Sequence, residues 1–276
     1  MVDLLEREVR ARASRRTGAA RARARRSCAA VMGLQAERRA PGRGWGSVAA
    51  YHYSELLLEA GVFATWGLHT TGRHHVPSTG AFVLAPTHQS VLDPVTCGIA
   101  ARDRPLTYIA RDTLFTFKPF GALIRLYGAV PIERGASDSA AIRLALGELA
   151  AGRALLIFPE GTRCHDGRTA PFQPGMVLLA RRSKVPLVPM AMDGSFDLWP
   201  RGSDWPRLHG AIEQEVGPPI PPEEIAERVK GGSEQFLADL RREAECMRLR
   251  CRARLRERTN GAWPPPGPAD TPYWDA

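Results

Sequence analysis

The chain has 276 residues, of which 44% are hydrophobic and 24% charged, so it is long enough to build one α/β domain around its own core. Its five cysteines form no CxxC pair, which argues against a disulfide framework or a zinc site, and reduced thiols are typical of cytosolic proteins. The first residues lack the apolar core of a signal peptide, and no run approaches the ~18 apolar residues of a membrane-spanning helix. We therefore predict neither secretion nor a transmembrane helix.

The formal net charge of +9 is concentrated near the N-terminus. Residues 1–45 contain twelve arginines, no lysine and four acidic residues, which leaves the rest of the chain close to neutral. Such a basic arm, which we expect to be partly disordered, is compatible with solvent, an anionic membrane surface or nucleic acid. No aromatic residues alternate with the arginines, so a base-stacking platform for nucleic acid is not supported.

Residues 46–70 are more apolar and have helical spacing. Two interpretations stay open for this segment. It is either a helix packed against the domain or an amphipathic, interfacial helix that enters the headgroup region of a bilayer. The apolar residues predicted to share one side of the helix are Leu56, Leu57, Val62, Phe63 and Trp66.

Short apolar runs alternate with helical stretches over residues 71–220, which predicts an α/β fold with a layered, mainly parallel sheet and flanking helices. Residues 221–260 indicate C-terminal helices, and the Pro-rich residues 261–276 indicate a disordered tail. The predicted strands are 81–86, 106–110, 129–132, 154–158, 185–192 and 211–216. The predicted helices between them are 94–102, 113–126, 136–151 and 173–183.

The first candidate for catalysis is His88, which directly follows the predicted strand 81–86. Side chains that contact ligands gather at the carboxyl ends of strands in open α/β sheets. Asp93 stands five residues later, before Pro94, where it is suited to cap the next helix. It is also suited to accept a hydrogen bond from one ring nitrogen of His88, which leaves the other nitrogen as a base. No other His, Cys or carboxylate lies at a useful local spacing, so a metal site is not supported.

Two further motifs carry arginine at the end of a predicted strand. In GAVPIERG, Arg134 is either an ordinary surface arginine or a bidentate clamp for a phosphate group. In FPEGTR, Gly161 permits a tight turn that holds Glu160 and Arg163. Two arginines at this edge of the sheet predict a pocket for a phosphomonoester, in which Glu160 accepts hydrogen bonds from hydroxyl groups or holds an arginine.

The blocks THQSVLD, GAVPIERG, FPEGTR and VPLVPMAM occur in this order within residues 70–217. They resemble the blocks of the glycerolipid acyltransferase family, which includes the lysophosphatidic acid acyltransferases. The resemblance implies that residues 71–220 form an acyltransferase domain, which moves a fatty acyl group from a thioester to a glycerolipid hydroxyl. It implies that His88 is the general base, that Asp93 orients it, that Arg134 and Arg163 grip the acceptor phosphate, and that Glu160, Gly161 and Thr162 shape the acceptor site.

The same resemblance indicates which molecules the chain acts with. It implies no cofactor, acyl-CoA or acyl-carrier protein as the donor, phosphatidic acid as the product, and a peripheral position on the cytoplasmic face of a membrane. Pro131 and Glu133 depart from the residues common in the second block, so the acceptor is left open. The alternatives are another lyso-lipid acceptor, hydrolysis of the thioester, or a non-catalytic protein that binds lipid or nucleic acid through the basic arm.

Overall fold

The computed structural model describes residues 40–42, 44–133 and 138–275. Most of the basic arm and Arg134 lie outside the described residues, so what the sequence predicts for them stays a prediction. Among the described helices, none combines the length and the apolar content that crossing a bilayer requires.

In the part of the chain that the structure describes, seven strands form a single sheet, which confirms the predicted α/β class. The strands are β1 (His69–Thr71), β2 (Val83–Pro86), β3 (Leu106–Arg111), β4 (Ala129–Ile132), β5 (Ala154–Leu156), β6 (Leu187–Asp193) and β7 (Glu213–Val216). Their order across the sheet is β1-β7-β6-β2-β5-β3-β4. The five strands from β6 to β4 are mutually parallel, whereas β7 is antiparallel to β6 and β1 is parallel to β7. The sheet is therefore mainly parallel, with a reversed pair at one edge.

Helices cover both faces of the sheet. They are α1 (Trp45–Trp66), α2 (Asp93–Ala101), α3 (Lys118–Leu126), α4 (Asp138–Ala150), α5 (Gly175–Ser183), α6 (Ser195–Leu198), α7 (Pro222–Lys230) and α8 (Ser233–Arg258). Successive side chains of a strand point to opposite faces, so neighbouring residues of β2 belong to different cores. Val83 packs with residues of α4, α5, α7 and α8, whereas Leu84 packs with residues of α2.

The predicted helix over 46–70 is shorter than expected and turns a different side inward. Gly67 ends α1 in the left-handed conformation, with φ of 52°, and donates its N–H to the carbonyl of Phe63. Residues 69–71 then form β1, which pairs in parallel with residues 213–215 of β7. Val62 is buried, whereas Leu56, Leu57 and Phe63 are exposed, so the prediction that Val62 shares one side of the helix with them is wrong.

The prediction of a disordered tail over 261–276 is also wrong for the described residues of that segment. Asp270 accepts hydrogen bonds from Arg252 and Arg256 of α8, each at 2.6 Å. The indole of Trp263 donates to the carbonyl of Ala211 at 2.9 Å. The proline content of this segment suggested disorder, but ion pairs with two arginines of α8 and the hydrogen bond of the Trp263 indole keep it in place.

Candidate active site

The site forms where three adjacent parallel strands end. The neighbours β5, β2 and β6 run in the same direction, so their carboxyl ends lie along one edge of the sheet. His88 follows β2, FPEGTR follows β5, and Ser195 follows β6 after Gly194. Ligand sites of open parallel sheets lie at this edge. The topology therefore brings together segments that are far apart in the sequence.

The predicted contact between His88 and Asp93 is present. Nδ1 of His88 lies 2.9 Å from Oδ2 of Asp93, whose side chain is fully buried. The same oxygen accepts the backbone N–H groups of Gln89 at 2.6 Å and Ser90 at 2.7 Å. Because Oδ2 already accepts two N–H groups, it also acts as the acceptor toward His88, so Nδ1 carries the imidazole proton and Nε2 has a free lone pair.

The predicted capping role of Asp93 is wrong. The helix α2 begins at Asp93 itself, Leu92 occupies the cap position, and no side chain there bonds a helix amide. The carboxylate instead faces back toward the loop 88–92 and collects amides from that loop. Pro94 lacks an N–H, so the first turn of α2 needs fewer partners than an ordinary helix start.

The imidazole ring is held on its flat side as well as at Nδ1. It stacks on Phe158, with ring centroids 3.7 Å apart and an interplanar angle of 16°. The His88 side chain is 17% exposed, and among the described residues nothing bonds its Nε2. The ring is thus fixed in orientation while one nitrogen stays available to a substrate.

Glu160 has a different place from the one predicted. It is 1% exposed, and its two oxygens accept the backbone N–H groups of His88 at 2.6 Å and Ala170 at 2.9 Å. Burial raises the pKa of Glu160 to about 8, although these two N–H groups act in the opposite direction. This burial does not support a direct contact with acceptor hydroxyls. Glu160 instead ties the β5 loop to the backbone of the proposed base.

The rest of FPEGTR forms the predicted turn, and the guanidinium of Arg163 lies next to it. Gly161 has φ of 69° and donates its N–H to the carbonyl of Phe158. Arg163 is half-buried, and no described residue serves it as a hydrogen-bond or ion-pair partner. Thr162 is exposed, and its hydroxyl lies 3.4 Å from Nη1 of Arg201. Arg201 comes from the loop after α6, and no motif in the sequence pointed to it.

Two polar side chains of the site were also missed by the sequence analysis. Gln89 is 2% exposed and donates from Nε2 to the carbonyl of Gly167 at 2.8 Å. Ser195 is fully buried, and its hydroxyl lies 2.9 Å from Oδ1 of Asp93. Gln89 lies inside the HQSVLD block, so its position was a usable signal, whereas Ser195 is 102 residues away from Asp93.

Within the described part of the chain, no group of three or more His, Cys, Asp or Glu side chains is arranged to hold a metal ion.

Comparison with known proteins indicates the family to which the chain belongs. Residues 67–193 match the family model described as Acyltransferase. The chain is 30% identical over 144 residues to a 1-acyl-sn-glycerol-3-phosphate acyltransferase of Bacillus subtilis (strain 168), and this alignment covers 52% of the chain and 71% of that protein. It is 26% identical over 179 residues to the chloroplastic 1-acyl-sn-glycerol-3-phosphate acyltransferase BAT2 of Brassica napus, covering 64% of the chain and 48% of that protein. The chain thus spans about half the length of the plant relative.

A solved structure has the same fold. The crystal structure of the 1-acyl-sn-glycerophosphate (LPA) acyltransferase PlsC from Thermotoga maritima superposes with a TM-score of 0.56 at 23% sequence identity. The match covers 70% of this chain and 79% of that one.

Proposed function

The chain belongs to the acyltransferase family, and on this premise we propose that it transfers a fatty acyl group from an acyl thioester to the free hydroxyl of a lysophosphatidic acid-like acceptor, giving phosphatidic acid. The observation that carries the proposal is the His88–Asp93 contact at the edge of the sheet, with Nε2 of His88 unbonded among the described residues. The relatives named above, which are 1-acyl-sn-glycerol-3-phosphate acyltransferases, support this choice of acceptor.

The proposed chemistry needs a base, because a hydroxyl group is a weak nucleophile at neutral pH. Nε2 of His88 takes the proton from the acceptor hydroxyl as its oxygen bonds to the thioester carbonyl carbon. The C–S bond then breaks, and the imidazolium returns the proton to the departing thiolate, so that the products are an ester and a thiol. Asp93 stabilises the imidazolium and keeps Nδ1 protonated. General-base catalysis of this kind contributes roughly 10²–10⁴-fold to a rate.

The acceptor phosphate would be bound by cations next to the base. Arg163 fits this role because no described residue neutralises it, and guanidinium groups bind phosphate in a bidentate way. Arg134 keeps the same proposed role on the basis of its motif alone. Arg201 adds a third cation, because its guanidinium reaches the loop that carries Arg163. The donor is proposed to be acyl-CoA or acyl-carrier protein, with no cofactor.

The enzyme is tested by assaying purified protein with a labelled acyl-CoA, a labelled acyl-carrier protein and a panel of lyso-lipids. We expect transfer to lysophosphatidic acid, and we expect His88→Ala to abolish it while His74→Ala, which removes an exposed histidine, leaves it intact. Near-normal transfer by His88→Ala would refute the general-base assignment. Preference for another lysophospholipid, release of free fatty acid alone, or salt-dependent DNA binding through residues 1–45 would favour the corresponding alternatives.

We also propose that the protein works on a membrane surface. The outward stripe of α1 is apolar, since Tyr53, Leu56, Leu57 and Phe63 are each more than half exposed. Leu56 and Leu57 lie three and four residues after Tyr53, and Phe63 lies seven residues after Leu56, so all four share one side of the helix. This arrangement supports the interfacial interpretation of the segment, in which apolar side chains enter the headgroup region.

A second exposed apolar group lies close to the end of α1. Trp205 is 80% exposed and Leu208 is 70% exposed, in a loop that also carries Arg201 and Arg207. The indole of Trp66, the last residue of α1, donates to the carbonyl of Arg207 at 2.9 Å and so joins this loop to the helix. Tryptophan and arginine together are suited to an anionic lipid interface.

Sedimentation with vesicles that contain anionic lipid tests the membrane proposal. We expect the double substitution Leu56→Ser and Phe63→Ser to weaken binding, whereas Leu178→Ser, on α5, serves as the matched control. A version without residues 1–45 tests the basic arm separately. Equal binding by all of these proteins would exclude both α1 and the arm as membrane contacts.

A further inference from the structure

The carboxylate of Asp93 has two oxygens, and they are bonded by different parts of the chain. Oδ2 accepts three groups from the loop 88–92, namely Nδ1 of His88 and the amides of Gln89 and Ser90. Oδ1 points the other way, toward the end of β6. There the hydroxyl of Ser195 lies at 2.9 Å and is the hydrogen-bond donor to Oδ1 among the described residues.

The direction of the Ser195 hydroxyl follows from its surroundings. Its oxygen also lies 3.2 Å from Oε1 of Gln89, so two acceptors compete for a single hydrogen. Gln89 is oriented by the bond from its Nε2 to Gly167, and its Oε1 already accepts the amide of Phe196 at 3.4 Å. Asp93 is nearer and is the charged acceptor, and charge-assisted hydrogen bonds are the stronger ones. The hydroxyl therefore donates to Asp93.

Ser195 is itself held rigidly. Gly194, just before it, has φ of 89°, and a Cβ at this position would lie 2.2 Å from the carbonyl oxygen of Ala211. One residue earlier, the buried carboxylate of Asp193 accepts hydrogen bonds from Arg248 at 2.7 Å and Arg252 at 2.8 Å. The turn 193–195 is thus fixed by the glycine and by two arginines of α8.

We infer that Ser195 is a positioning residue for the proposed acyl transfer, which acts on His88 through Asp93 and which the helix α8 holds in place. This inference rests on the proposed function. Residues 194–258, which contain Ser195 and both arginines, lie beyond the segment that matches the family model. The orientation of the base therefore depends on a part of the chain outside that segment.

The test compares Ser195→Ala with wild type and with Ser183→Ala, which removes a hydroxyl from the end of α5 that bonds a backbone carbonyl. We expect kcat of Ser195→Ala to fall by about tenfold or more, since a hydrogen bond to a charged group is lost, with the KM for the acceptor almost unchanged. The kcat of Ser195→Cys, in which the thiol is a weaker donor of similar size, should lie between those of wild type and Ser195→Ala. This variant also provides a test if the alanine variant does not fold.

A double-mutant cycle separates positioning from a general loss of structure. In an Asp93→Asn background, Ser195→Ala should have almost no further effect on kcat, because the route from Ser195 to His88 is already broken. An equal fall of kcat in both backgrounds, or no fall in either, would overturn the inference. If the wild-type protein transfers no acyl group at all, the proposed function fails, and the His88 ring resonance in NMR then decides. The resonance of the proton on Nδ1 of His88 should shift in Ser195→Ala but not in Ser183→Ala, because the hydrogen bonding of Asp93 changes only in the first variant; an unshifted resonance would overturn the inference.

Discussion

Replacing Glu160 by glutamine should change both the stability of the protein and its dependence on pH. The two oxygens of Glu160, a residue that is 1% exposed, accept two backbone N–H groups, from His88 and Ala170. Glutamine offers one oxygen and one NH₂ group, so in either orientation one of these N–H groups faces a donor, whereas the hydroxyl oxygen of a protonated carboxyl can still accept. An unsatisfied buried donor costs about 1–3 kcal/mol, which is the loss of unfolding free energy we expect at pH 5.

The wild-type protein has a second contribution that glutamine removes. Burial raises the pKa of Glu160 from 4.5 to about 8, so between these values the folded state holds a proton that the unfolded state has released. The stability of the wild type should therefore fall as the pH rises from about 4.5 to 8, by an amount on the order of 5 kcal/mol for this group. The glutamine variant lacks this fall, and the two stability curves should approach or cross by pH 9.

Urea unfolding at pH 5, 7 and 9 measures this difference, and Glu257→Gln, on the exposed surface of α8, provides the control. Parallel curves for wild type and Glu160→Gln would mean that Glu160 keeps its charge throughout this pH range, and the reasoning would fail. Acyl transfer should also fall in the variant, because one of the two N–H groups concerned belongs to the backbone of His88.

Two other substitutions have clear expectations. Arg252→Ala should lower the free energy of unfolding by about 3–5 kcal/mol in urea titrations, because it leaves the buried Asp193 with one partner fewer. Arg250→Ala, which removes an exposed ion pair of the same helix, should lower it by less than about 1 kcal/mol. Similar losses for both variants would contradict this contrast. Arg163→Ala should raise the KM for a phosphorylated acceptor by about tenfold in steady-state assays and leave the KM for the donor nearly unchanged, and an unaltered acceptor KM would exclude a phosphate contact.

The sequence was sufficient to predict the parallel sheet, because its central strands are continuous apolar runs separated by helical stretches. It was also sufficient to place His88 and Asp93 together, since five residues across a strand-to-helix loop bring such side chains within reach. It was not sufficient for β1, whose three residues, His69–Thr71, contain no apolar run. That strand forms because Gly67 ends α1 and because β7, on the side away from β6, has backbone groups available for pairing.

The remaining errors have a common physical cause: the surroundings of these side chains are formed by residues that are distant in the sequence. Glu160 was expected to face the acceptor, but residues 88 and 170 enclose it. Ser195 and Arg201 belong to loops that carry no recognisable motif, and they reach the site only through the order of the strands. The tail after α8 is ordered because Asp270 meets arginines one helical turn apart, a match that composition alone does not reveal.

The position of β1 has a consequence for how the protein is made. Among the described strands, β1 is the first to leave the ribosome, yet it pairs with β7, and His69 lies opposite Glu213. β2 likewise must wait for β5 and β6 before it has neighbours on both sides. Pairings between such distant residues form slowly, and incomplete sheets expose apolar edges during synthesis. We expect nascent chains that stop before residue 213 to depend on chaperones, because β1 then has no partner strand.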